Sequence, residues 1–462
     1  MARFSELPKE IVAEVWEHVL APEDVESFAR VCKQVHGQAA SSLRLHRQLR
    51  DKYTMFSNED TTDKYDGTRY PRDRPSNLLK DIIASPHIGL YVQELHLQSW
   101  YFRWEPADFA TTLGPLEQKF LHLPYSNRCL DIFKDALSSS IISTELDFWT
   151  FELENGNEDS IVGLLLLAAP NVLKLELNKN DGPERFRRLM VSLATATKPG
   201  IPASLRKLKH IECDVGETEA PLHFVAFMAA LPSLESIKAE TLFSIDHNDD
   251  LSCLPPKSSN VKDLSIKRST VDTASLDDLL RGFKALEAFA YIQPHHEDPE
   301  WSPEYPNFDP TAMCTTLLSH TKDSLIFLNF RAEIEDGTPY VCISGLDGFN
   351  KLKHIEISLC LIANYKTAVV TSDWPSSIEP INVRDVDVAN YFLVKTVTFK
   401  IIETKVTRLP KLETLAPYIE EGVDADSLQH FAAMRDKCES AGFALRIMDE
   451  PGMDFGCCSD GP

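Results

Sequence analysis

The chain has 462 residues, 43% of them hydrophobic, and a net charge of −23, so it can bury a large core but has no basic excess to neutralise a phosphate backbone. Its longest apolar run, Ile161–Ala169, is interrupted by Gly163 and is too short to span a bilayer, and MARFSELPKE has no apolar signal region. Nucleic-acid and membrane partners are therefore not expected. Ten cysteines are scattered without a C-x-x-C pair, which argues against a disulfide framework or a zinc site and for a reducing cytoplasmic or nuclear setting.

In chain order, residues 1–50 balance seven basic against seven acidic side chains, so the acid excess belongs to the rest. Leu7, Ile11 and Val15 fall four apart, with Val12, Val19 and Leu20 beside them, and predict an amphipathic helix opened by Pro8. A second helix starts at Pro22, where Glu23 and Asp24 suit the positive end of the helix dipole, and its apolar positions are Val25, Phe28, Ala29 and Cys32. Two short helices with this many apolar residues want a partner.

Leu7-Pro8, Ile11, Val15, Leu20, Asp24-Val25 and Val31-Cys32-Lys33 form a ladder that resembles an F-box. Where many F-boxes next carry a Trp, this chain has Val35 or His36. The resemblance implies a three-helix F-box over residues 1–50. It would dock on a Skp-type adaptor, and through it a cullin, using Leu7, Pro8, Ile11, Val15, Leu20, Val25, Phe28 and Val31.

A helix with a basic face (Arg44, Arg47, Arg50, Lys52) is predicted over Ala39–Tyr53, and the polar stretch up to residue 77 reads as a linker, giving a segment 51–77 of helix end and linker. Residues 77–97 predict a helix, a break at Pro86 and a strand. Leu78, Leu79, Asp81, Ile82, Tyr91, Val92, Glu94 and Leu95 make this phrase similar to a recurrent segment of F-box proteins from filamentous fungi, which leads into a repeat domain.

From here apolar-x-x-apolar-x-apolar recurs, as Val92/Leu95/Leu97, Val172/Leu175/Leu177, Leu234/Ile237/Ala239, Val261/Leu264/Ile266, Leu286/Phe289/Tyr291, Leu325/Leu328/Phe330 and Leu352/Ile355/Ile357. Weaker copies centre on Leu121, Leu146 and Ile211. Most intervals are about 25–29 residues, the range of leucine-rich repeats, and longer ones carry insertions. Helices are predicted at Asn127–Ser138, Asp159–Ala169, Glu184–Thr195, Leu222–Ala230 and Ser275–Phe283, with a proline ahead of the strand at Pro170 and Pro232. The expected fold is thus α/β: the F-box followed by an irregular leucine-rich-repeat solenoid, a horseshoe, over 78–448. Residues 294–311, rich in proline and aromatics, should form a loop. Later elements are looser: Val394/Val397/Phe399 and Leu412/Leu415 as final strands, a closing helix Asp426–Ala441, a strand Ala444–Met448 and a disordered tail over 449–462.

No motif for a nucleophile, a phosphate cradle or a metal site appears; His295-His296-Glu297-Asp298 lies in the proline-rich loop and makes a poor tetrahedral site. No catalytic residue, cofactor or metal is expected. The repeats read instead as a binding surface, on the strand positions that alternate with the apolar ones. Candidate target-binding residues are Glu94, His96, Glu145, Asp147, Trp149, Glu176, Glu212 and Asp214; with Lys174, Lys238 and Glu240 added, acids outnumber bases seven to two, which suits a basic target segment. Later strands (Asp263, Ser265, Lys267, Asn329, Arg331, His354, Glu356) are close to balanced. The resemblance implies a substrate receptor of a Skp–cullin–F-box ubiquitin ligase; the alternative is a repeat scaffold that binds the adaptor without delivering targets.

Overall fold

The structure is a computed structural model that describes residues 7–58, 61–62, 69–70, 75–97, 127–138, 146–154, 159–178, 205–214, 220–244, 251–293, 309–332, 342–364, 369–371, 373–386, 391–419 and 425–449. The expected strand at Leu121, the helix Glu184–Thr195, Glu145, His295–Asp298 and the tail after Asp449 lie outside them. The chain divides into two compact units, Met1–Thr218 with Ala230–Leu234, and Glu219–Ala229 with Glu235–Pro462.

The first unit opens with α1 (Lys9–His18), α2 (Pro22–Ala29), α3 (Lys33–Gln38) and α4 (Ala40–Tyr53). Pro8 caps α1, and α2 begins on a proline followed by two acids, as the spacing predicts. Val12, Trp16, Val25, Ala29, Val35 and Ala39 form a small core, against which Leu7, Val19, Phe28, Cys32 and Leu43 pack. The Trp16 indole meets the Phe28 ring edge-on at 4.8 Å. Gln34 donates to the Leu7 carbonyl at 2.9 Å and ties α3 to the start of α1.

One residue after α4 the chain enters a strand, β1 (Met55–Ser57), which pairs in parallel with β2 (Glu94–Leu97). The segment expected as a linker therefore supplies the first strand of the sheet, and it also holds an antiparallel pair, Thr61–Thr62 with Arg69–Tyr70. Strand β3 (Lys174–Asn178) and β4 (His210–Asp214) follow, each parallel to the strand before it in the chain. Helix α5 (Pro75–Ala84) and a 3₁₀ turn (Pro86–Leu90) precede β2, while α6 (Asn127–Ser138), α7 (Leu146–Glu154) and α8 (Asp159–Ala168) precede β3. The turn passes so close to α8 that a Cβ on Gly89 would lie 2.1 Å from the Ala168 carbonyl oxygen; only glycine allows that approach.

Two expected strands are helices. Leu146 begins α7, whose buried positions Trp149, Glu152 and Leu153 follow i, i+3, i+4. Val394, Val397 and Phe399 lie in an eighteen-residue helix of the second unit, α12 (Tyr391–Arg408), which buries Leu393, Val394, Val397, Thr398, Ile401 and Lys405. Apolar residues three apart suit both a helix face and the repeat motif, so the spacing alone does not separate them.

The second unit continues the same strand arrangement. Strand β5 (Ser236–Glu240), β6 (Asp263–Lys267), β7 (Ala288–Ile292), β8 (Phe327–Arg331), β9 (His354–Ser358), β10 (Pro380–Val386) and β11 (Thr414–Ile419) each pair in parallel with the next in the chain. The ladder ends on Ala444–Leu445 and Met448–Asp449, both paired to β11. Between strands lie α9 (His223–Ala229), α10 (Thr273–Arg281), α11 (Pro310–Thr321), the α12 already described, and α13 (Ala425–Ser440). Helix α10 is capped by Asp272, which accepts from the Ala274 and Ser275 amides at 2.9 Å. Asp309 caps α11 likewise, so the end of the expected loop 294–311 is the first turn of a helix.

After β5 and β6 the chain turns a corner on a left-handed residue, Thr241 (φ 60°) and Arg268 (φ 46°). It then adds short strands, Leu242–Ser244 and Thr270–Val271, that pair in parallel. Ser269 braces the corner by accepting from the Leu242 amide at 2.9 Å, and the Tyr291 hydroxyl donates to the Ser269 carbonyl at 2.7 Å. The strand β10 was not predicted, although Ile378, Ile381 and Val383 fit the motif; it starts on Pro380, a first-residue position where the missing N–H is tolerated. No helix among the described residues is long and apolar enough to cross a membrane.

Candidate interaction surfaces

The N-terminal helices divide their apolar residues between an inner and an outer set. Of the residues expected to meet an adaptor, Val25 is buried in the helical core, Leu7 and Phe28 pack against it, and Val15 is half-buried. Pro8 is exposed, as are Ile11 (43%), Leu20 (48%) and Val31 (48%). Pro8, Ile11, Leu20 and Val31 are thus the members free to touch a partner. The spacing argument missed Trp16, whose ring anchors the core, and Leu45, which is 52% exposed on α4.

These helices are fastened to the start of the sheet by polar contacts from α4. His46, almost fully buried, sets Nδ1 3.0 Å from the Tyr91 hydroxyl and Nε2 3.5 Å from Glu26. Glu26 also receives Arg50 at 2.8 Å. The Tyr53 hydroxyl donates to Asp81 at 2.7 Å, with Lys52 alongside. Burial pushes both tyrosine hydroxyls up, which keeps them protonated and able to donate.

The second surface is the strand face of the first unit. Burial alternates along β2 and β4, so Glu94, His96, Glu212 and Asp214 point away from the core, as does Glu176 on β3. Register aligns Glu94 with Lys174 and His210, and His96 with Glu176 and Glu212. The acids are partly neutralised within the face: His96 stands 2.8 Å from Glu176 and 3.2 Å from Glu94, and Lys174 lies 3.2 Å from Glu176. Asp147 and Trp149 do not belong to it. They sit on α7, where Trp149 is fully buried with its carbonyl accepting from Ser160. An aromatic contact for a target at Trp149 is therefore ruled out.

In the second unit the corresponding face pairs its own charges. Glu240 holds Lys267 (3.1 Å) and Arg268 (2.8 Å), while Arg384 contacts Glu356 at 2.5 Å and stacks 3.5 Å over the Tyr418 ring. At the strand ends Arg331, only 8% exposed, pairs with Asp385, which also accepts from Ser358. Asp385 has φ 57° beside a register irregularity of β10, so a local backbone distortion aims its carboxylate at the buried guanidinium. Arg384, Asp385 and Tyr418 escaped the sequence reading because β10 did.

The cysteines described, Cys32, Cys213, Cys253, Cys314, Cys342, Cys360 and Cys438, are free thiols. Burial pushes Cys314 up to about 12 and Cys438 up to about 11, away from the thiolate a nucleophile needs. Among the described residues no group of three or more His, Cys, Asp or Glu could hold a metal ion. Compared with known protein families and with curated proteins, the chain matches none.

Proposed function

We propose that this chain is the substrate-recognition subunit of a Skp–cullin–F-box ubiquitin ligase, with α1–α3 docking on the Skp-type adaptor and the strand faces holding a target protein. The observation that carries the reading is the sorting of apolar residues in α1–α3. Val12, Trp16 and Val25 fill a core of their own, while Ile11, Leu20 and Val31 remain exposed within the same few turns. A solvated helical cap has no need of that second set; a docking surface does.

Parallel strands in chain order, recurring with helices or turns between them, support a leucine-rich-repeat solenoid with one strand face available for recognition. On the face from Glu94 to Asp214 the acids Glu94, Glu176, Glu212 and Asp214 outnumber Lys174, a balance that suits a basic target segment. The subunit itself performs no bond chemistry in this reading, ubiquitin transfer belongs to other subunits, and the complex works in the cytoplasm or nucleus.

The test is co-purification of the full chain with a purified Skp-type adaptor and cullin. Ile11→Asp with Leu20→Asp should abolish capture while thermal unfolding of the chain stays unchanged. Undiminished capture by that double variant, or no capture by the wild type, rejects the reading. Capture without any client that accumulates on proteasome inhibition would leave a scaffold.

A further inference from the structure

We infer that the outward face of α12 is a dimerisation surface, on which a second copy of this chain lays the same helix in the antiparallel direction. The inference goes beyond the adaptor reading and does not rest on it. Helix α12 turns one side inward, where Leu393, Val394, Val397, Thr398, Ile401 and Lys405 are buried. On the opposite side Phe392, Phe399 and Val406 recur every seven residues and form one line along the helix. Phe392 is 53% exposed and Val406 is 84% exposed, so the packing of the helix on its own unit uses neither fully. Phe399, between them, is half-buried, with the Lys437 ammonium of α13 4.5 Å from its ring centroid.

An apolar line of this spacing, on a helix already anchored by its other side, suits a second helix. The charges beside the line decide which helix. Lys395 lies four residues before Phe399 and Glu403 four residues after it, and both are exposed. The pattern is therefore self-complementary about Phe399. Run antiparallel, two copies set Phe392 against Val406 and Phe399 against its counterpart, and bring each Lys395 level with Glu403 of the second copy. Such a contact has a two-fold axis at Phe399 and closes on itself. Run in parallel, the same helices would set Lys395 against Lys395 and Glu403 against Glu403. Within one chain Glu403 meets Lys400 at 3.2 Å, an exposed pair of little strength, and Lys395 has no ion pair among the described residues. A lipid surface fits less well, because Glu403 stands one turn from Phe399 beside the apolar line and would have to bury its charge. An eighteen-residue helix is about 27 Å long, and one face of it offers less than the roughly 800 Å² per partner of a standard interface, so the dimer is weak.

The experiment is analytical ultracentrifugation of the full chain alone, without adaptor, over roughly 1–300 μM, reading the dissociation constant of the dimer. The wild type should pass from monomer to dimer across that range. Phe392→Ser with Val406→Ser should remain monomeric. Lys395→Glu should weaken the dimer about tenfold, because it places like charges level with each other at both ends. Adding Glu403→Lys to Lys395→Glu should restore the wild-type constant. All four side chains are exposed, so thermal unfolding at the dilute end should be unchanged in every variant. A wild type that stays monomeric at the highest concentration overturns the proposal, as does a serine variant that dimerises like the wild type. A double charge swap as weak as Lys395→Glu overturns the antiparallel pairing and with it the proposal. Wild-type binding to phosphatidylserine vesicles without dimerisation, lost in the serine variant, assigns the face to a lipid surface and also overturns it. Adaptor capture is read separately through the Ile11/Leu20 variant, so either idea can fail without the other.

Discussion

The imidazole of His46 and the hydroxyl of Tyr91 stand 3.0 Å apart across forty-five residues of chain, and both side chains are almost completely buried. Their contact joins the helix that follows α1–α3 to the turn that leads into β2. With Tyr53–Asp81 beside it, it makes the N-terminal helices and the first strands parts of one unit. Tyr91→Phe removes the hydroxyl and leaves a ring nitrogen buried without its partner, at a cost of about 1–3 kcal/mol. Urea unfolding of Tyr91→Phe, His46→Ala and the double variant should show that the two losses are less than additive.

Gly89 is a second point of close contact. A methyl group there meets the Ala168 carbonyl at 2.1 Å, so Gly89→Ala must push the turn away from α8. A loss of about 1–3 kcal/mol is expected, whereas Gly37→Ala, with open space around it, should be neutral or stabilising. Thermal unfolding of the two variants in parallel decides the matter.

The buried pair Arg331–Asp385 can be taken apart without disturbing the backbone. Asn accepts the left-handed conformation at position 385, so Asp385→Asn tests charge alone. It removes the Asp385 charge from beside a nearly buried guanidinium and should cost about 3–5 kcal/mol. Arg331→Met combined with Asp385→Asn should recover part of that loss. Wild-type stability of Asp385→Asn would show the pair to be unimportant.

Asp277 on α10 joins α11 through His320. Burial alone would raise its carboxyl, but hydrogen bonds and charge from His320 (2.7 Å) and Arg281 (2.8 Å) outweigh it and hold the group below its ordinary value of 3.8. A carboxylate depressed in the folded state stabilises in full above its unfolded value and loses that contribution as pH falls through the folded one. The stability gap between wild type and Asp277→Asn should therefore be constant at neutral pH and close below about pH 3.8. Denaturation midpoints across an acid pH series measure it.

Native alkylation at mildly alkaline pH should spare Cys314 and Cys438, whose thiols burial holds at about 12 and about 11, and label them only after denaturation. Peptide mapping by mass spectrometry reads the difference. Rapid native labelling of Cys314 would contradict its burial.

Strands with strict in–out alternation were legible in the sequence: every copy from Val172 to Leu352 that falls on described residues lies on a strand in the expected frame. The two helices expected as strands share one cause. Leu146 and Val394 open windows whose apolar spacing also fits a helix, and only their neighbours Leu153 and Ile401, one or two turns on, reveal which period holds. Strand β10 went unread although Ile378, Ile381 and Val383 carry the motif; it begins on Pro380, a first-residue position that tolerates proline. The surfaces were less legible than the elements, because sequence spacing shows which residues share a face but not which are already engaged. Val25 and His96 illustrate this: one is taken up by its own helical core, the other by two carboxylates.

Among the described residues of each unit, the ladder strands up to β11 pair in parallel in chain order. A chain that pairs its strands in sequence order can add structure as it lengthens. During synthesis, each newly emerged strand would find its template already standing.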